Sequence, residues 1–271
     1  MSRNLYEFPS IREDSIASLS KKLLHVTEQL TESNQTLQQV QQERADMLAN
    51  LSHDLRAPVT AIRGAVDYLL ADPNCDKEEL ASVLQMINRR TKTLENLIND
   101  MYDLFCVESS SRPLDIQKIT AAPFLEEYFY STILDSRYDC HEMSLDISEE
   151  LSCAIEIDVQ KIIRVLDNLM TNAAKYSAPH TAITLKAFRD DCFLYISVID
   201  RGLGIPEEAL GKIFSRTYTV SSARTPGSAT GSGLGLSIAK AIIEKHGGTL
   251  TCESILNQGS TFTIRLPLAG V

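Results

Sequence analysis

The chain has 271 residues, room for two ordinary domains, and 44% of them are apolar, enough to bury a real core. Its formal charge of −10 argues against a general binder of nucleic acid or anionic membrane, and its scattered cysteines (75, 106, 140, 153, 192 and 252) form no C-x-x-C pair, which points to reduced thiols and no zinc site. No apolar run approaches the ~20 residues of a membrane span, and the opening MSRNLYEFPS does not resemble a secretion signal.

From Ile16 to Leu51, apolar residues recur at alternating spacings of three and four: Ile16, Leu19, Leu23, Val26, Leu30, Leu37, Val40, Met47 and Leu51, interrupted by Ser33 and Arg44. This is a heptad seam of about five repeats and predicts a coiled coil, parallel or antiparallel. So narrow a stripe needs a partner helix, most simply from a second copy of the chain. Pro58 then falls inside a helical pattern (Leu48, Leu51, Leu55, Val59, Ile62, Val66, Leu69), which predicts a kink rather than a stop. ADPNCD, residues 71–76, is a turn with Asp76 as N-cap. A second amphipathic helix follows through Leu80, Val83, Leu84, Ile87, Leu94, Leu97, Met101 and Leu104. Two such hairpins from two chains make a four-helix bundle.

SSRP, near Ser111, reads as a linker. Beyond it the period switches repeatedly. Strands are predicted at LDIQKI, MSLDI, CAIEI, TAITLKAF, FLYISVID, GTLTCES and STFTIRLP, and helices at PFLEEYFYSTIL, VQKIIRVLDNLMTNAAKY, EEALGKIF and LGLSIAKAIIEKHGG. Mixed but not strictly alternating elements predict helices on one face of a mixed sheet. The domains are therefore 1–45 (coiled coil), 46–110 (dimerisation hairpin) and 111–271 (α/β sandwich).

Several features of the third region suit a nucleotide. Asn168 and Asn172 lie four apart on one helix, followed by Lys175 and Tyr176. An amide oxygen is a hard ligand suited to Mg²⁺, and Lys175 can offset phosphate charge. The strand FLYISVID ends at Asp200, which can accept from an exocyclic amine such as that of adenine; Gly202 and Gly204 follow and would let the backbone approach a flat ligand. Gly231, Gly233 and Gly235 precede an apolar helix, whose first amides form a phosphate cradle. Neither a dinucleotide fingerprint nor a P-loop is present. Ser215 to Thr230, rich in Ser, Thr, Gly and Arg, reads as a lid.

In this order and spacing the features resemble the N, G1, F and G2 boxes of the histidine kinase ATP-binding domain, whose fold is shared with gyrase, heat-shock chaperone and mismatch-repair ATPases. The resemblance covers about 115–268. It implies a Bergerat-type α/β sandwich, Mg²⁺ held through Asn172, adenine recognised by Asp200 and phosphates held by Gly231, Gly233 and Gly235. It extends the ATP-binding set to Asn168, Lys175, Tyr176, Gly202, Gly204, Ile205, Arg216, Ser232, Leu234, Leu236 and Thr261. Relatives that hydrolyse ATP carry a Glu four residues before the metal Asn. This chain has Asn168 there, which favours transfer over water attack.

MLANLSHDLRAPVTAIRG likewise resembles the family's H box. His53 lies about 200° around the helix from the seam residue Leu51 and should face solvent, and an imidazole is an adequate nucleophile toward phosphorus near neutral pH. The resemblance assigns Asp54 to orient the ring. His25, His141, His180 and His246 read as ordinary surface. The implied protein is a homodimeric sensor histidine kinase that phosphorylates His53 from Mg-ATP and passes the phosphoryl group to an aspartate of a response regulator receiver domain, with Arg56 in the docking surface. No nucleic-acid partner is implied. The expected location is cytoplasmic, alone or as the soluble part of a larger membrane-bound sensor. Two departures stand out. Ala57 occupies the position where strong phosphatases of the family carry Thr or Asn, which implies weak phosphatase activity. FSRTYT has Thr217 in place of an aromatic and Thr219 in place of an Arg, for which Arg216 or Arg224 can substitute. The alternatives are a non-catalytic nucleotide-dependent scaffold and an ATP-hydrolysing clamp. Phosphorylation within or across chains stays open.

Overall fold

The computed structural model describes residues 11–71, 76–108, 113–149, 151–215 and 233–270. The 71–76 turn (apart from its ends), the start of the SSRP linker, Gly231 and Ser232 lie outside the described residues, as does the predicted lid beyond Ser215 with Arg216, Thr217, Thr219 and Arg224. Two compact units divide at Ser52 and His53.

In the first unit a single helix begins; α1 (Ile11–Ala71) then continues into the second. It has no Gly or Pro before Pro58, and Pro58 does not end it. Proline removes one N–H from the ladder and leaves the Asp54 carbonyl without its helical donor, which a long packed helix tolerates. The described seam residues Leu23, Val26, Leu30, Leu37 and Val40 are exposed along the helix.

In the second unit, Pro58 and Ala65 of α1 are buried at heptad spacing, together with Leu97 of α2 (Lys77–Glu108). Asp76 caps α2 as predicted: its Oδ1 accepts the Glu79 N–H at 2.8 Å. The Tyr68 hydroxyl donates to the Glu79 carboxylate, joining the two helices beside their turn.

The α/β domain opens with β1 (Gln117–Thr120) and α3 (Ala121–Thr132), then a 3₁₀ turn at Ser136–Tyr138. It continues with β2 (Glu142–Ile147), β3 (Ala154–Ile157), α4 (Val159–Tyr176), β4 (Ala182–Arg189) and β5 (Phe193–Asp200). The short α5 (Glu207–Leu210), α6 (Gly235–Lys245), β6 (Thr249–Ile255) and β7 (Gly259–Pro267) complete it. The main sheet has the order β2-β4-β5-β7-β6, with β2 parallel to β4 and the other pairs antiparallel. β1 and β3 form a separate antiparallel pair. Strand residues of one parity (Ile183, Leu185, Ile196, Val198, Ile264, Leu266) are buried, while their neighbours are more open. The buried face packs under α3, α4 and α6, so the expected one-sided mixed sheet is present. EEALGKIF is helical only to Leu210, because Gly211 follows and the chain goes into turns.

Candidate functional site

α4 is the spine on which the nucleotide candidates assemble. Asp158 caps it by accepting the Lys161 N–H at 3.2 Å. Its apolar face (Ile162, Val165, Leu166, Leu169, Met170) is buried. Asn168 and Asn172, half-buried, follow one another by one turn. Asn168 Nδ2 donates to the Gly235 carbonyl at 3.3 Å, tying α4 to the first turn of α6. The Asn172 amide has no hydrogen-bond partner among the described residues. The last residue, Tyr176, accepts the Leu203 N–H on its carbonyl at 3.0 Å, and the exposed Lys175 ammonium lies 5.0 Å from the Tyr176 ring centre.

Asp200 ends β5 at 6% exposure. Its Oδ1 accepts two backbone N–H groups, from Gly202 at 2.8 Å and from Ser260 at 3.3 Å. No hydrogen bond reaches Oδ2 among the described residues. Burial raises the pKa of this carboxyl, against the pull of the two amides. Burial, with Asp200 as a second cause, pushes the Cys252 thiol up to about 12.

Both glycines after Asp200 are required by the protein's own backbone, whatever ligand the loop faces. A Cβ on Gly202 would lie 2.4 Å from the Tyr176 carbonyl oxygen. One on Gly204, at φ +63°, would lie 2.1 Å from that of Ile255. The loop is pinned further by Ile205, whose N–H donates to Ser254 Oγ at 2.8 Å. Sequence reasoning missed this support from Ser254, Gly259 and Ser260. A Cβ on Gly259 would fall 2.0 Å from the Asp200 carbonyl oxygen. Only the N-Q-G turn signal between β6 and β7 hinted at it. Thr261, half-buried, pairs with Ile199 on the same sheet.

Gly233 (φ +68°) turns the chain into α6, with Leu234 buried at its N-cap and Leu236 half-buried in its first turn. The N-cap residue Leu234 provides no side-chain cap and no acidic residue sits in the first turn, so the positive end of this helix suits an anion.

His53 is on α1 with its side chain 82% exposed, whereas Leu51 is 3% exposed. The seam thus turns the ring outward as expected. Its Nδ1 lies 3.6 Å from Asp54 Oδ1, too long for a hydrogen bond. Arg56 and Ala57 are exposed beside it. His25 and His180 are surface residues, but His246 is not: it is 8% exposed and hydrogen-bonded through both nitrogens.

Residues 157–270 match the family model described as histidine kinase-, DNA gyrase B- and HSP90-like ATPase, and residues 43–110 match the His Kinase A (phospho-acceptor) domain. The chain is 32% identical over 229 residues to the sensor histidine kinase YcbM of Bacillus subtilis, with 83% of this chain and 72% of that protein covered. The chain belongs to the sensor histidine kinase family. It is also 34% identical over 235 residues to the sensor histidine kinase WalK of Bacillus subtilis, covering 85% of this chain but only 38% of WalK's length. Among solved structures it resembles the histidine kinase ThkA in complex with the response regulator protein TrrA, at TM-score 0.65 and 26% identity over 82% of this chain and 61% of that one. The fold also matches the histidine kinase AdeS of Acinetobacter baumannii, at TM-score 0.62 and 23% identity, covering 80% of this chain and 98% of that one. No helix among the described residues of this family member is long and apolar enough to cross a membrane.

Proposed function

We propose that the chain binds Mg-ATP between α4, the loop after Asp200 and the start of α6, and transfers its γ-phosphoryl group to His53. The carrying observation is Asp200. Two protein amides hold Oδ1, and Oδ2 is left without a partner among the described residues, as an acceptor for the adenine amino group. The positive N-terminal end of α6, with Gly231, Ser232, Gly233 and Gly235, then receives the phosphates. Arg216, Ile205, Leu234, Leu236, Lys175, Tyr176 and Thr261 complete the proposed binding set.

No cluster of three or more His, Cys, Asp or Glu suited to a metal occurs among the described residues. The donor set fits Mg²⁺ held mainly by phosphate oxygens and water, with Asn172 as the protein ligand. Bound there, the ion offsets phosphate charge. Asn168 is engaged with Gly235 and is no general base for water.

In the transfer, a bond forms between a His53 nitrogen and the γ-phosphorus as the bond to the bridging oxygen breaks, and ADP leaves. Asp54 stands on the Nδ1 side, so Nε2 is the nucleophile. The phosphoryl group then passes to an aspartate of a response regulator that docks by Arg56 and the exposed bundle face; the ThkA–TrrA complex supports such a partner. The exposed apolar residues of the stem (Leu48, Val59, Val66, Leu70, Leu84, Ile98) support a homodimeric four-helix bundle. We read residues 1–45 as input helix, 46–110 as dimerisation and phosphotransfer domain and 111–271 as catalytic domain. Ala57 offers only a methyl group where a water-positioning side chain is needed, so phosphatase activity is weak; rapid dephosphorylation of a phosphorylated regulator by the pure chain would refute this.

Incubation with γ-labelled ATP and Mg²⁺ should give acid-labile, alkali-stable label that His53→Gln abolishes. Absence of label with intact nucleotide binding would favour the non-catalytic scaffold, and free labelled phosphate the hydrolytic clamp.

A further inference from the structure

α4 and α6 run antiparallel and are tied at both ends. At one end stands the Asn168–Gly235 bond. At the other, His246 Nε2 lies 2.9 Å from the backbone N–H of Asp158, the N-cap of α4. Asp158 to Asn168 spans about 15 Å of helix and Gly235 to His246 about 16.5 Å. The two ties are therefore matched in spacing, and together they fix the register of the pair.

The imidazole has one possible state in this position. Its Nδ1 lies 2.8 Å from the Ile242 carbonyl, which can only accept, so Nδ1 carries the hydrogen. The Asp158 N–H can only donate, so Nε2 must present a lone pair. Burial holds the imidazole pKa below its ordinary value, against the Ile242 carbonyl and the Asp158 carboxylate, which pull it up. The Asp158 carboxylate is itself engaged, by the Lys161 N–H and by the N–H of Asp115, each at 3.2 Å. Asp115 belongs to the segment that enters the domain. Glu156 of β3 and Lys245 of α6 line an open cavity of about 770 Å³ together with His246, so protons from solvent can reach the ring.

We propose that His246 is a positioning residue of the nucleotide site: as a neutral Nδ1–H imidazole it holds α6 against α4, and its protonation loosens nucleotide binding. An Nε2 proton would face the Asp158 N–H, donor against donor. The tie would open, and the α6 amides would lose their fixed spacing from Asn172. The proposal rests on the ATP reading above.

The test is calorimetric titration of the full chain with Mg-ADP at about pH 8 and about pH 6. Two substitutions separate the roles. His246→Gln keeps an acceptor that reaches Asp158 and cannot be protonated in this range. His246→Asn is too short for that bond. The Gln variant should bind within about threefold of wild type at the higher pH and escape the extra weakening of wild type at the lower; the Asn variant should bind about tenfold more weakly at both. The ligand's own titration cancels in the variant-to-wild-type ratio. Parallel pH profiles of wild type and Gln variant, or an Asn variant that melts earlier but binds as tightly, would overturn the proposal while leaving ATP binding intact. If the Asn variant does not fold, the wild-type and Gln profiles decide alone. Failure of wild type to bind at either pH would sink the ATP reading, and this proposal with it.

Discussion

Replacing Asp200 by asparagine separates ligand recognition from folding. The amide oxygen of asparagine can keep both bonds that Oδ1 makes, to the Gly202 and Ser260 amides at 2.8 and 3.3 Å. Oδ2 becomes an NH₂ group, which opposes an adenine amine donor to donor. Loss of a charge-assisted bond of about 1.5–3 kcal/mol raises the Kd for Mg-ADP roughly 10- to 150-fold. Stability moves the other way. The folded pKa of this carboxyl is raised by burial, so the folded state binds its proton more tightly than the unfolded state does, and the stability associated with that proton is lost as pH rises through the folded pKa. At neutral pH the charge is a burden that asparagine removes, and the ligand-free melting temperature should not fall. Calorimetric titration and a thermal melt check both halves. Unchanged affinity would refute the assignment of Asp200 to adenine; a fall of several degrees in the melt with normal affinity would make it a purely structural residue.

Gly204→Ala should destabilise the domain by at least about 2 kcal/mol in urea unfolding, because its Cβ would lie 2.1 Å from the Ile255 carbonyl oxygen at φ +63°. Gly64→Ala, with nothing within 4 Å of its Cβ on α1, should instead stabilise by about 0.5–1 kcal/mol. Because the folded pKa of His246 is depressed, its contribution to stability is full above the unfolded value and is lost as pH falls through that value toward the folded one. Wild type should therefore lose up to about 1.4 kcal/mol per pH unit in that window relative to His246→Gln, and equal slopes in denaturant titrations across pH would count against a buried neutral ring. One residue inserted near Gln41 rotates the seam by about 100° and should change the autokinase rate in labelled-ATP assays; an unchanged rate would deny the coiled coil a role in signalling.

What was legible in the sequence was local. VQKIIRVLDNLMTNAAKY became α4 from Val159 to Tyr176 because an apolar stripe and the Asp158 cap lie within the segment itself. Asp76 capped α2 for the same reason. EEALGKIF overran because its apolar period continued past Gly211, where the helix ended. The candidate nucleotide-binding boxes are legible as residue types, but the local reasons for those types are not. Gly202 and Gly204 answer to carbonyls of Tyr176 and Ile255, and no spacing rule spans such distances. His246 illustrates the same limit: alone on a helix end it looked like surface, and only its partner 88 residues away shows that it is buried and fully bonded.

The same contrast separates the proposed phosphoacceptor from the proposed nucleotide pocket. The outward orientation of His53 needs only one helix and one seam: Leu51 is buried at 3%, and a ring two residues later must point away from it. Folding of the stem is thus compatible with a nucleophile at that position without any special support, and no described side chain restrains the ring beyond the long contact with Asp54. The pocket is the reverse case. Asn168, Tyr176, Asp200 and Gly235 come from three different elements, and each is held by a bond or a close approach to another. Perturbing the stem should therefore alter how often His53 meets the nucleotide, whereas perturbing α4 should alter whether the nucleotide binds at all. Rate at saturating ATP and affinity for Mg-ADP are the two observables that divide along that line.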